Sequence, residues 1–302
     1  MEWVDANRSD AGDLIFKIFR SVTINAEVSS MIWFPPDDDA DQAARYPVLN
    51  ELPASGGSPR KNTPGVVKRV ETAIRDRRTA PMIIVGVPAL RGNTMDGDSR
   101  DGDYPLETVI IKDLIPHIDA TYRTLASRAG RAVDGCSMGG FGAAHLGFKF
   151  PEVFSVISII APPLVGPKLK SPRPTCALGN LFTTAMLSDL DSFRANGPFT
   201  LAEKNSDALR DRTYNSQRGA RRSHVLARAA VREAAFSESG HWVRERAEHW
   251  LVPQCEKLHQ TLRRNQVPHE FGFFTNVKGH SPKGCLDSLG DAAFSFFSSS
   301  LP

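Results

Sequence analysis

The sequence lacks the apolar segments that mark membrane-spanning or exported proteins. Its longest apolar stretch, residues 153–165, is shorter than the roughly 20 residues that a bilayer-spanning helix needs, and it contains Pro162 and Pro163. The first ten residues show no basic segment followed by an apolar one, so we expect no signal peptide. We therefore expect a soluble cytoplasmic protein without a membrane span.

Cysteine is scarce, with four in 302 residues, and their spacing does not suit a metal site. In a reducing compartment they are expected to be free thiols: Cys136, Cys176, Cys255 and Cys285. An excess of one charge is also lacking, since 37 basic residues face 34 acidic ones. A nucleic-acid partner needs a clustered basic face, and the only arginine-rich stretch is 210–246. We expect no nucleic-acid partner, metal or cofactor, and the sequence leaves the oligomeric state open.

The sequence does contain enough apolar material, 41% of its residues, for one large core. Short apolar runs alternate with amphipathic ones, which is typical of a sheet covered by helices on both faces. We predict one domain over residues 1–302 with an α/β fold and a mostly parallel central sheet. The predicted strands are 28–34, 46–52, 82–87, 131–135 and 156–161, and the predicted helices are 64–77 and 107–122.

A loop rich in glycine and aspartate follows the third predicted strand, at residues 91–104. Asp96, Asp98, Asp101 and Asp103 carry the oxygen ligands that calcium prefers. The loop lacks the twelve-residue spacing ending in glutamate of an EF-hand, so an ordinary loop is the favoured interpretation.

The strongest local signal is Gly135-Cys136-Ser137-Met138-Gly139-Gly140, between a predicted strand and a helix rich in small residues. Gly-x-Ser-x-Gly in this context is typical of a nucleophile elbow, which exposes a serine hydroxyl at the top of a sheet. The backbone N–H of Met138 would point toward an oxyanion formed there. We interpret Ser137 as a nucleophile, and Cys136 as a small residue that packs in the turn.

A serine nucleophile needs a base, and with such an elbow the base is a histidine near the C-terminus. His280 follows a strand-like segment at 270–274, so it could reach the hydroxyl from the sheet edge. Two other histidines, His117 and His145, fall within helical patterns and are interpreted as structural.

Four segments together resemble the putative-esterase family that includes esterase D, feruloyl esterases and the mycolyltransferases. They are residues 46–49, 107–123, 135–142 and 279–280, and the resemblance extends from about residue 16 to residue 297. It implies the α/β-hydrolase fold, with Ser137 as nucleophile and His280 as base. No cofactor is implied.

The chain departs from the family at the loop that normally supplies a second oxyanion donor. Where the family has His-Gly, this chain has Pro53-Ala54, and proline has no N–H to donate. Ala54 is the proposed second donor, with Ser55 as the alternative.

A second departure concerns the triad acid. The family carries an aspartate in a Gly-x-x-Asp turn before a helix resembling 251–262, and that place here reads Arg246-Ala-Glu248-His249-Trp250. Glu248 is the candidate acid, with a solvated helix charge as the alternative, and Glu238 and Glu245 are weaker candidates. The preceding segment, 243–247, is too charged for the buried strand expected there.

Residues 214–242 look like an insertion relative to the family and are rich in arginine and alanine. A lid-like helix, a surface for an acidic partner and a poorly ordered segment are three interpretations that the residues leave open.

These features favour a serine esterase that hydrolyses a small carboxylic ester through a Ser-His-acid triad and an acyl-enzyme. Two alternatives stay open, an acyltransferase of the same fold and a non-catalytic hydrolase-fold binding protein. An intact elbow opposes the binding protein, whereas the altered oxyanion loop and the unsettled acid favour it.

Overall fold

The computed structural model describes residues 3–36, 41–88, 95–99, 102–164, 190–210, 224–230 and 241–274, and positions 283, 284, 287, 297 and 301. For 224–230 and 241–252 the backbone path alone is described. His280 and the remainder of the C-terminal segment therefore lie outside the described residues.

Eight strands of the described chain form one sheet, in the order β1-β2-β4-β3-β5-β6-β7-β8. The two strands at one edge are antiparallel to their neighbours, whereas β3 to β8 run parallel. Parallel strands bring all of their carboxyl ends to one edge of the sheet. The strands are β1 (Ile15–Ser21), β2 (Ala26–Trp33), β3 (Val48–Leu52), β4 (Ile83–Gly86), β5 (Arg131–Cys136), β6 (Val156–Ile160), β7 (His224–Ala230) and β8 (His269–Phe274).

Helices connect the parallel strands and cover both faces of the sheet. A π-helical turn at Val109–Leu114 joins α2 to α3 into one continuous rod. The helices are α1 (Pro59–Arg75), α2 (Leu106–Thr108), α3 (Ile115–Thr121), α4 (Met138–Lys149), α5 (Leu190–Asn196), α6 (Pro198–Lys204), α7 (Ser206–Arg210) and α8 (His241–Arg264). Within the described residues, none of them is long and apolar enough to cross a membrane.

Period-two alternation along the strands divides the core into two layers. On one face, Leu49 and Ala132 pack with the apolar side of α1. On the other face, Val48 and Val133 pack with α4, whose Phe141 is fully buried. The near-continuous apolar runs of β4 and β6 follow from this burial on both faces.

All five predicted strands are present, with ends that differ by at most two residues from the prediction. The helix predicted at 64–77 begins earlier, at Pro59, because a proline is well accommodated in the first helical turn. Within residues 214–242, the described residues 224–230 do not form a lid-like helix but the strand β7, which pairs with β6 and β8 inside the sheet. The segment 243–247, which is too charged for a buried strand, belongs to α8.

Candidate active site

The turn between β5 and α4 holds Ser137 in a backbone conformation that few side chains adopt. Its φ of 58° and ψ of −118° place it outside the common regions for a residue with a Cβ atom. The Ser137 N–H donates to the carbonyl of Ile160 at 2.9 Å, which ties the turn to the end of β6. Ser137 is partly exposed while Cys136 and Met138 beside it are buried. The strained turn therefore lifts this one side chain to the carboxyl edge of the sheet.

The glycines around Ser137 are needed because backbone atoms approach them closely. A Cβ on Gly139 would lie 2.1 Å from the carbonyl oxygen of Leu52, and one on Gly135 would lie 2.3 Å from the carbonyl carbon of Gly139. Contacts below 3.0 Å require the backbone to shift, since these are not flexible side-chain atoms. The motif thus brings the first turn of α4 against the end of β3.

Both predicted oxyanion donors lie beside this turn. Met138 is the first residue of α4 and is 1% exposed, so its backbone N–H belongs to the first turn, whose donors have no intrahelical acceptor. Ala54 follows the end of β3, is 7% exposed, and accepts from the N–H of Gly57 at 2.8 Å. Leu52 is the cross-strand partner of Gly135, so the chain beyond it runs next to the elbow.

The strand that precedes His280 in the sequence, β8, ends at the same edge of the sheet as β5. His280 is the sixth residue after Phe274, which ends β8. Because β5 and β8 run parallel, their carboxyl ends face the same side. The position of the His280 side chain lies outside the described residues, so its role as base stays a prediction.

The backbone of Glu248 lies inside α8, seven residues after His241, and α8 precedes the parallel strand β8. The side chain of Glu248 lies outside the described residues, as does Glu238 in the segment 231–240, so the role of Glu248 as the triad acid stays a prediction. Glu245 also belongs to α8.

Sequence reasoning did not single out a pair of buried carboxyl groups beneath the elbow. Glu51 on β3 and Asp134 on β5 are cross-strand partners, and each is 4% exposed. Burial raises the pKa of Glu51 to about 8 and that of Asp134 to about 6. The signal was present in the sequence, because both acids interrupt runs that are otherwise apolar.

The aspartates of the loop at 91–104 have separate surroundings. Asp96 is fully buried where a Cβ on Gly142 would lie 2.2 Å from its Oδ2, and burial raises its pKa to about 8. Asp98 accepts from the backbone N–H of Thr108 at 2.9 Å and from its hydroxyl at 2.5 Å. Asp98 therefore holds the start of the α2–α3 rod. Asp101 lies outside the described residues.

A buried ion network fixes the far end of α4. His145 Nδ1 lies 2.9 Å from the carbonyl oxygen of Asn196 and its Nε2 lies 2.5 Å from Glu107 Oε2. Lys149 Nζ adds bonds of 2.7 Å and 2.9 Å to the two Glu107 oxygens. His145 thus has structural contacts, which agrees with its interpretation from the sequence.

The cysteines that the structure describes, Cys136 and Cys255, are buried free thiols. Within the described part of the chain, no three His, Cys, Asp or Glu side chains form a cluster that could hold a metal ion.

Comparison with known proteins agrees with this geometry. Residues 21–282 match the sequence model of a family described as Putative esterase. A stretch of 143 residues is 32% identical to an esterase of Mycobacterium tuberculosis and covers 44% of this chain and 30% of that protein. The chain thus spans less than a third of the length of the curated relatives that it matches.

Solved structures with the same architecture cover almost the whole chain. A ferulic acid esterase has a TM-score of 0.66 at 19% identity, over 95% of this chain and 98% of its own. An S-formylglutathione hydrolase from Agrobacterium tumefaciens also has a TM-score of 0.66, at 17% identity, over 98% of this chain and 99% of its own. This similarity shows that the fold is the α/β-hydrolase fold.

Proposed function

Because this chain belongs to the putative esterase family, we propose that it is an esterase that hydrolyses small carboxylic esters, with Ser137 as the nucleophile. One observation carries the proposal: the strained backbone of Ser137 on a strand-to-helix turn, partly exposed above buried neighbours. Strain of this kind costs on the order of 1–3 kcal/mol and persists where the position of the side chain matters.

The proposed reaction proceeds in two steps. As His280 takes the hydroxyl proton, Ser137 Oγ attacks the carbonyl carbon of the ester, and the carbonyl oxygen becomes an oxyanion. The N–H groups of Met138 and Ala54 donate to that oxyanion. The C–O bond to the alcohol then breaks, and His280 gives its proton to the departing alcohol. In the second step, His280 takes a proton from water as the water attacks the acyl-enzyme. The bond to Ser137 Oγ then breaks, His280 returns the proton to Ser137, and the acid is released.

The position of β7 supports a different acid from the one that local register favoured. Glu233 is the first carboxylate after β7 and lies three residues beyond Ala230, in the place of a Gly-x-x-Asp turn that follows the strand. The side chains of Glu233 and Glu248 both lie outside the described residues, so this proposal rests on the sequence spacing from Ala230. We propose Glu233 as the residue that orients His280, with Glu248 as the alternative.

The substrate class is proposed from the substrates for which the structural neighbours are named. Those neighbours include enzymes named for a ferulic acid ester and for a thioester, S-formylglutathione. A serine nucleophile can form an acyl-enzyme from an ester or from a thioester. Hydrolysis of p-nitrophenyl esters of rising chain length shows whether the site accepts short or long acyl groups. Adding an alcohol tests for transfer, since exclusion of water decides between hydrolysis and acyl transfer.

A fluorophosphonate probe tests the nucleophile directly. We expect the wild-type protein to be labelled and to hydrolyse p-nitrophenyl acetate, and Ser137→Ala to lose both properties while its thermal unfolding is unchanged. Ser9→Ala, at an exposed serine, serves as the matched control. An unlabelled wild-type protein would overturn the proposal and favour a binding role for the fold.

The acid is tested with three matched substitutions. Glu233→Gln should lower kcat by about a thousandfold or more, because the imidazolium of His280 loses its partner. Glu238→Gln and Glu248→Gln should retain turnover close to that of the wild type. If Glu248→Gln alone abolished activity, the acid would be the residue that the sequence register indicated.

A further inference from the structure

A row of polar side chains crosses the sheet on its α1 face, one layer beneath the elbow. Glu51 on β3, Asp134 on β5 and Ser158 on β6 are successive cross-strand partners. Glu51 and Asp134 are 4% exposed and Ser158 is fully buried. Neighbouring strands lie about 4.8 Å apart, so the two carboxyl groups lie side by side.

The row has too few hydrogen-bond donors for two carboxylates. Thr63 donates its hydroxyl to Glu51 Oε2 at 2.7 Å. Asp134 Oδ1 and Asn62 Oδ1 are buried without a partner in the described structure. A cavity of about 10 Å³ is lined by Asn62, Asp134 and Glu51, and it holds at most one water molecule. Ser158 and the backbone of Gly135 donate to Asp134 and lower its pKa, but Asp134 Oδ1 stays a buried carboxylate oxygen without a donor.

No described cation neutralises the pair. On α1, Arg60 is engaged by the carbonyls of Asn7 and Ser9, and Arg69 pairs with Asp287, while Lys61 and Lys68 are exposed. The other carboxyl nearby, Asp96, packs against α4 and would add repulsion rather than relieve it. On β7, Arg228 has a backbone position opposite Ile160, two strands from Asp134.

We propose that Glu51 and Asp134 share one proton at neutral pH, and that this keeps a second negative charge away from the oxyanion site until the proton is lost in alkaline solution. The effect on rate rests on the proposed esterase function. One of the two carboxyl groups then carries the proton while the other is a carboxylate, and they interact through their charges. In alkaline solution this proton passes to hydroxide and forms water, so both groups become carboxylates.

The burial of the two groups supports this assignment. Burial raises the pKa of Glu51 to about 8 and that of Asp134 to about 6, and the charge of Asp134 further raises the pKa of Glu51. The second ionisation therefore falls near pH 8. It lies above the ordinary pKa of a histidine base, roughly 6.5, so the two events are separable in a pH profile.

The pair is close enough to Ser137 to affect the reaction. Asp134 precedes Ser137 by three residues on a strand that rises about 3.3 Å per residue, which gives a separation of about 10 Å. Ala54 and Cys136, which flank the proposed oxyanion site and the nucleophile, line the same cavity as the pair. At an effective dielectric constant of about 20, one further charge at that distance opposes an oxyanion enough to slow the reaction on the order of tenfold.

The test is the pH profile of kcat/KM between about pH 7 and about pH 9, on either side of the Glu51 pKa of about 8. We expect the wild-type value to fall on the order of tenfold across this range after subtraction of the uncatalysed rate. Glu51→Gln and Asp134→Asn should each remove this decline, because only one carboxylate can then form. Asp96→Asn should retain it.

Either of the two variants suffices if the other fails to fold. A wild-type pH profile without a decline overturns the proposal without any variant. A decline that persists in Glu51→Gln and Asp134→Asn also overturns it. So does a decline that vanishes in Asp96→Asn. Infrared titration of the Ser137→Ala, Asp96→Asn double variant follows the buried carboxyl O–H without need of turnover, and it removes the band of Asp96, whose pKa is also about 8. An inactive wild-type enzyme with this titration intact would overturn only the proposed function, whereas a missing carboxyl band at neutral pH would overturn the shared proton.

Discussion

Gly139→Ala should damage the reaction more than it damages the fold. The new Cβ would lie 2.1 Å from the carbonyl oxygen of Leu52 and 3.1 Å from that of Pro53, and both are backbone atoms at the end of β3. An ordinary contact at 3.4 Å or more requires α4 and β3 to separate by about 1 Å. This shift moves the N–H of Met138 relative to Ser137.

The size of the effect follows from that displacement. A misplacement of about 1 Å costs on the order of 100-fold in rate when it affects groups that must align with the reacting atoms. Overpacking of this kind destabilises the fold by about 1–3 kcal/mol, partly offset because alanine favours a helix over glycine by about 1 kcal/mol. We therefore expect kcat/KM to fall about a hundredfold in a protein that is still folded at 25 °C.

Gly147→Ala is the matched control, since it makes the same change in the same helix. Its Cβ would meet Cδ1 and Cγ1 of Ile157 at 2.7 Å, and this clash lies ten residues after Ser137 (147 − 137), away from Met138 and the end of β3. We expect a similar loss of stability in urea unfolding with kcat/KM close to that of the wild type. If the folded Gly139→Ala protein kept wild-type kcat/KM, the close contact of α4 with β3 would not be what positions the oxyanion donor.

Two further predictions concern buried charges. The raised pKa of Asp96, about 8 against an ordinary value of 3.8, means that its contribution to stability is present in acid and is lost as pH rises from about 4 to about 8. Asp96→Asn should therefore flatten the fall of unfolding free energy over that range, measured by urea titration at several pH values, and an unchanged slope would contradict the burial argument. Burial alone would raise the pKa of Glu107, but His145 and Lys149 hold it below its ordinary value. Glu107→Gln should destabilise the protein by about 3–5 kcal/mol because it leaves His145 buried without its counter-charge. Lys149→Met, at a partly exposed cation, should cost clearly less, and an equal loss in both would refute this ranking.

Much of the fold could be predicted because its signals are local. Each of the five predicted strands is an apolar run long enough to be recognised by itself, and each is present in the sheet. The turn around Ser137 could also be recognised from the sequence, because a strand-to-helix turn with close backbone contacts requires glycines near the serine. The alternation of the elements then indicated a mostly parallel sheet.

The strand β7 could not be recognised in this way. His224 and Arg228 interrupt its apolar residues, and its neighbours in sequence are rich in arginine. What makes it a strand is pairing with β6 on one side and β8 on the other. The prediction of Glu248 as the acid did not take β7 into account, and it stays a prediction.

The sequence by itself determined the nucleophile motif, the positions of five strands along the chain and the resemblance to the family, because these depend on residues adjacent in the chain. Only the tertiary structure decided that Glu51 and Asp134 are neighbours, because 83 positions separate them in sequence (134 − 51) while one register step joins them in the sheet. Their protonation follows from the same contact. The free energy of a charge depends on what surrounds it in space, and burial without a cation is a property that no local pattern records.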